Sequence, residues 1–168
     1  MKTTNYTVNT GFTAGLFTTA GLIAYFLAMR AGGLAQIPEL RFFNFVILFA
    51  GVAYAMKRHA DLTNNSYNYF NTLGSGVLAV VISVALFSAF VLAWLYFDPG
   101  LLAALKANSS APSWLNPQTA ATTVFGEGLA SGMVTAYIFL SWVSRNRENK
   151  AENRAAQQIR KKQHSELF

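Results

Sequence analysis

The sequence predicts an all-α, polytopic membrane protein with four transmembrane helices and both termini cytoplasmic. Three observations carry that expectation. Charged residues make up only 12% of the 168, about half the share found in soluble domains. The shortage is concentrated in four long apolar stretches, each near the ~20 residues a helix needs to cross a bilayer core. Basic side chains gather at one end: residues 145–168 hold seven of them against three acidic ones. A disulfide scaffold is excluded because the chain has no cysteine. Disorder and collagen are excluded by a hydrophobic content of 53%.

The first span covers about residues 10–29, from Thr10 to Met29, with no charge before Arg30. A cleaved signal peptide has a shorter core, ~7–15 residues, and a small-residue cleavage site. Here Met29-Arg30 follows the run directly, so the segment reads as a retained span. The second covers 38–58. Pro38 suits a first helical position, with Glu39 in the first turn, and the run from Phe42 to Met56 stops at Lys57-Arg58-His59. Arg41 then sits about one turn inside the helix, where a long side chain reaches back to the interface. The third covers 73–97, 25 residues without a charge, and is closed by Asp98-Pro99-Gly100. Trp94 and Tyr96 near its end resemble an aromatic belt. The fourth covers 122–143 and ends in Ser144-Arg145-Asn146-Arg147.

These spans make residues 1–144 a four-helix transmembrane domain and 145–168 a basic cytoplasmic tail of helical spacing. Between the third and fourth spans, Leu101 to Leu105 reads as a short interfacial helix with Trp114 as its anchor. No internal repeat is visible, so an inverted-repeat transporter is not supported. An even number of spans puts both ends on one side. That side holds Lys2, Lys57, Arg58 and the seven tail charges; the other holds Arg30, Arg41 and Lys106. The positive-inside rule makes the first side cytoplasmic, and the tail decides it.

Glu127 is the only acid inside an apolar run. A carboxylate there must be protonated or paired, because an isolated charge in hydrocarbon costs at least ~2.5 kcal/mol. Three readings stay open: half of a structural ion pair with Arg41 or Arg30, a proton- or cation-handling site, or a group facing a water-filled vestibule. Arg41 is the nearer partner in expected depth. Small residues mark where helices meet, since in lipid association depends on close backbone approach. The candidate packing positions are Gly11 and Gly15 in the first helix, Ser75, Ala79 and Ser83 in the third, and Gly128 and Gly132 in the fourth. Asn44, Thr18, Thr19, Ser88 and Thr135 are polar groups within the spans, expected to bond a neighbouring helix or their own backbone. His59 and His164 lie in basic polar stretches without ligand-type partners. No metalloprotease, phosphate-loop or nucleophile-elbow motif is present, so neither a catalytic residue, a metal site nor a cofactor is expected. In the tail, Arg160, Lys161 and Lys162 form the densest basic patch, suited to anionic lipid or a partner.

The stretch from Tyr69 to Gly76, the long apolar helix closing on Tyr96-Phe97-Asp98-Pro99, Lys57-Arg58 after the second helix and the glycine-rich fourth helix resemble a family of small four-span bacterial membrane proteins of unknown function. The resemblance covers roughly residues 12–145. It implies a bacterial cytoplasmic (inner) membrane location and four helices, and it carries over no site residue. The expected function is non-enzymatic: an accessory or packing subunit that meets the bilayer and other membrane subunits, or a homo-oligomer, and no nucleic acid. The alternative is a small oligomeric transporter or channel with Glu127 as its coupling residue.

Overall fold

The computed structural model describes residues 2–34, 37, 40, 42–63, 68–109 and 112–165. Among them the chain forms five helices and no strand: α1 (Lys2–Ala31), α2 (Phe42–Leu62), α3 (Tyr69–Phe97), α4 (Pro99–Ala107) and α5 (Pro117–Ser165). Three are long and apolar enough to cross a membrane, over Asn5–Ala31, Tyr69–Phe97 and Pro117–Asn146. The fourth expected span differs. Its helix begins at Phe42, and Pro38, Glu39 and Arg41 lie outside the described residues. That leaves α2 only 15 apolar-run residues before Lys57-Arg58-His59, about 22 Å of helix, so charge fills the rest of its 21 residues.

Local chemistry explains the ends. At the end of α1, Gly33 has φ +68°. Its N–H bonds Arg30 O at 3.2 Å, and the Leu34 N–H bonds Met29 O at 2.9 Å, the paired closure of a helix ending on a left-handed glycine. Asn68 starts α3 by accepting from Phe70 N at 2.9 Å. At the start of α5, Asn116 and Thr119 exchange bonds: Thr119 N donates to Asn116 Oδ1 (2.8 Å) and Asn116 N to Thr119 Oγ1 (2.9 Å). With Pro117 in the first turn, this starts the helix five residues before the expected Thr122. The same helix continues for 49 residues, through the expected span and tail together, about 74 Å at 1.5 Å per residue.

The packing is centred on α3. Gly11 faces Ser75 and Leu78, and Gly15 faces Ala79 and Ile82, so residue numbers rise together and α1 and α3 run parallel. Thr18 abuts Gly51, and Ile47 lies against Gly21, so α2 runs antiparallel to α1. Gly128 meets Val84 and Gly132 meets Val80, which makes α5 antiparallel to α3. Ala14, Ala55 and Ala79 meet where α1, α2 and α3 converge. Leu48, Val52, Met56, Val80, Val84, Ala136 and Leu140 form the core between α2, α3 and α5. Outward the chain is strongly apolar, with Phe17, Phe42, Phe70 and Tyr137 exposed, as expected of helices bathed in lipid rather than water.

Candidate functional site

The packing positions come together around α3. An added Cβ at Gly11 would lie 2.8 Å from Ser75 O, at Gly15 2.9 Å from Ile82 Cβ and at Gly128 2.9 Å from the Val84 methyls. At Gly132 it would overlap Val80. Ser75, Ala79 and Ser83 are almost wholly buried, and the two hydroxyls return to their own helix, at Thr72 O (2.8 Å) and Val80 O (3.1 Å). The seam is thus a close backbone approach, with the polar groups satisfied internally.

Arg30 is not aimed at Glu127. Its guanidinium meets Asp98 Oδ2 through Nη2 at 2.6 Å and Nε at 2.8 Å. Asp98 is the joint between two helices: its N–H bonds Trp94 O at 2.9 Å to close α3, and its Oδ1 accepts from Leu101 N at 3.0 Å to open α4. That backbone bond is the main cause holding the Asp98 carboxyl below its ordinary range, opposed by partial desolvation and reinforced by Arg30. The Trp94 indole N–H adds a smaller pull, although it has no hydrogen-bond partner of standard geometry. Sequence reading treats Asp98 only as a helix stop; its pairing with Arg30 depends on α1 and α3 being parallel, which spacing along one chain does not reveal.

Glu127 lies ten residues into α5, about 15 Å from its start, because the helix begins earlier than expected. Its side chain has no ion-pair partner among the described residues, and Arg41, the expected partner, lies outside them. Glu127 instead borders a cavity of about 180 Å³. All five helices contribute: Leu22 and Phe26 from α1, Asn44 and Leu48 from α2, Val84 and Phe87 from α3, Leu101 and Leu105 from α4, Thr123 and Glu127 from α5. No basic side chain lines it.

The polar groups within the spans sort themselves at this cavity. Thr18, Thr19 and Thr135 each bond the carbonyl four residues back at 2.8 Å, and Ser88 Oγ donates across to Ala121 O at 2.7 Å. Asn44 is the exception: its Oδ1 is buried and unpartnered while the side chain borders the cavity. A buried acceptor without a donor is costly.

A second buried polar centre escapes sequence reading. His59 is fully buried, with Nε2 3.0 Å from Thr7 Oγ1 of α1 and Nδ1 3.2 Å from Thr72 Oγ1 of α3. The Thr72 hydroxyl bonds Asn68 O at 3.1 Å, so Nδ1–H is the donor to it. The signal is present in the sequence: His59 continues the Leu48–Val52–Ala55/Met56 stripe at helical spacing, and that stripe outweighs its Lys57-Arg58 neighbours.

In the tail, α5 stays helical to Ser165; the side chains of Arg160, Lys161 and Lys162 lie outside the described set. The described side chains beyond Ser144, from Arg145 to Gln157, are exposed. No group of three or more histidine, aspartate or glutamate side chains suited to a metal occurs among the described residues. No family model matches the chain, and neither does any curated protein or solved structure.

Proposed function

We propose that the chain is a non-enzymatic, multi-pass membrane protein that serves as an accessory or packing subunit of a membrane complex. One observation carries this reading. α5 passes unbroken from the packed bundle into an arm of about twenty further residues, about 30 Å long. A helix that is polar all round, with few opposite charges at helical spacing, gains little stability in water by itself. A docking partner or an anionic bilayer surface supplies what it lacks, and the basic residues of the arm suit both.

In this reading α2 crosses together with the three more apolar helices. Its support is topological: a chain that has crossed along α1 must return before it crosses along α3 in the same direction, and α2 is the helix between them. Lys57 and Arg58 then snorkel to the interface, four spans place both termini together, and the basic tail assigns them to the cytoplasmic side. The location is the bacterial cytoplasmic membrane, and the chain joins the small four-span proteins it resembles.

The test is native mass spectrometry of the detergent-extracted full chain, with photocrosslinkers at the exposed Asn149 and Asn153. A stoichiometric membrane partner that is lost when residues 148–168 are removed supports the reading. A chain that remains alone or binds only itself, with no crosslink from the arm, overturns it. A second reading, a small oligomeric transporter or channel coupled through Glu127, draws on the cavity beside that carboxylate. A homo-oligomer with proton-coupled flux in proteoliposomes, abolished by Glu127→Gln, would favour it over the first.

A further inference from the structure

We propose that the cavity beside Glu127 binds a small lipophilic amine, with its ammonium between the Glu127 carboxylate and Asn44 Oδ1 and its apolar body among Leu22, Phe26, Val84 and Phe87.

Size, lining and polarity point to the same ligand class. A cavity of about 180 Å³ is close to the ~150 Å³ apolar void known to admit a benzene ring, so a single ring with a short side chain fits. Its walls are Leu, Val and Phe side chains from helices held together elsewhere, at the glycine seams and through Asp98, so the space does not depend on a ligand for its shape. At its border stand the Glu127 carboxylate, which is without an ion pair among the described residues, and Asn44 Oδ1, which is buried without a donor. Both are acceptors, and the lining contains no cation. An ammonium carries three donors and no acceptor. It completes both groups at once, whereas a carboxylate or phosphate ligand would face Glu127 as a like charge. The phenyl faces of Phe26 and Phe87 add a surface that attracts cations.

This inference stands apart from the accessory-subunit reading, because it concerns the bundle interior and not the arm. Its test is fluorine NMR titration of the full chain in detergent with 4-fluorophenethylamine and, as its neutral isostere, 1-fluoro-4-propylbenzene. Saturable binding of the amine is expected, weakened roughly tenfold or more by Glu127→Gln, the worth of one charge-assisted hydrogen bond. The neutral isostere should bind wild type and Glu127→Gln alike. Asn44→Leu should also weaken the amine, and Ala120→Phe, which fills the cavity from its wall, should abolish saturable binding of both probes. Folding of each variant is checked by its melting temperature. Equal amine binding to wild type and Glu127→Gln overturns the proposal, as does the lack of any saturable binding. A lipid retained by the wild type and expelled by Ala120→Phe overturns it as well, by naming a different occupant.

Discussion

The Arg30 guanidinium holds Asp98 Oδ2 with two nitrogens, at 2.6 and 2.8 Å, while the other oxygen of the same carboxylate caps α4 at Leu101 N. One side chain therefore ties the last turn of α1 to the joint between α3 and α4. Asn in its place keeps a capping oxygen and loses the charge; Ala loses both. Melting temperature in detergent should fall in the order wild type, Asp98→Asn, Asp98→Ala. Arg30→Gln should match Asp98→Asn, and the double variant should lose little more than either. Additive losses would separate the two residues energetically.

The same carboxylate makes stability depend on pH. Its pKa is lowered on folding, from an ordinary value of 3.8, so the unfolded chain binds the proton more readily than the folded one. The contribution is complete above the ordinary value and disappears as pH falls through the lowered folded value. The melting-temperature gap between wild type and Asp98→Asn should be full at neutral pH and close below that range. A gap that widens on acidification would reverse the assignment.

The glycine seams separate positions that the sequence alone treats alike. Gly132 and Gly126 both lie on α5, yet a Cβ at Gly132 would overlap Val80, while nothing lies within 4 Å of one at Gly126. Gly132→Val should destabilise the bundle by about 1–3 kcal/mol through overpacking, and Gly126→Ala should cost nothing. Thermal unfolding monitored by circular dichroism in one detergent distinguishes them. Equal effects would mean that α5 does not seat on α3 through Gly132.

How much of this was legible in the chain varies with what each feature depends on. The apolar runs behind α1, α3 and the first part of α5 are local properties, and absence of charge is enough to find them. The start of α5 was missed because Asn116-Pro117 precedes a polar turn, and the capping exchange with Thr119 is a matter of geometry. The end of that span was missed for the opposite reason: Arg145 and Arg147 change the solvent around the helix without breaking it. Small residues in α1, α3 and α5 were identifiable as contact positions, but not which seats on which. The partner of Arg30 required knowing that α1 and α3 are parallel. At the candidate site Glu127 stood out by charge, whereas Asn44 became distinctive only once its fellow polar residues were seen to be satisfied.

His59 illustrates a group whose burial contradicts its neighbours. It joins three helices through Thr7 and Thr72 at zero exposure. His59→Leu keeps most of the volume and removes both bonds, so it should cost about 1–3 kcal/mol. His59→Ala should cost more, because a void is added. Diethyl pyrocarbonate, which reacts with accessible imidazole, should leave His59 unmodified in the folded protein and modify it after unfolding. Rapid modification of the folded chain would contradict the burial.

Sidedness provides the most decisive test of the proposed topology, and a chain with no cysteine suits it. Single cysteines at the exposed positions Leu34, Asp61, Ser113 and Asn153 sample every junction between the long helices and the arm. α1 and α3 are parallel, and α5 opposes α3, so positions 34 and 113 belong to one end of the bundle and 61 and 153 to the other. A membrane-impermeant maleimide added to intact cells should label Leu34→Cys and Ser113→Cys at once, and Asp61→Cys and Asn153→Cys only after permeabilisation. If 34 and 61 label together from outside, α2 does not cross. The parallel pairing of α1 with α3 would then be incompatible with both of those helices crossing the same bilayer. If the two pairs exchange roles, the helices stand and the positive tail faces outward, against the ~1 kcal/mol per basic residue by which an anionic inner leaflet holds it.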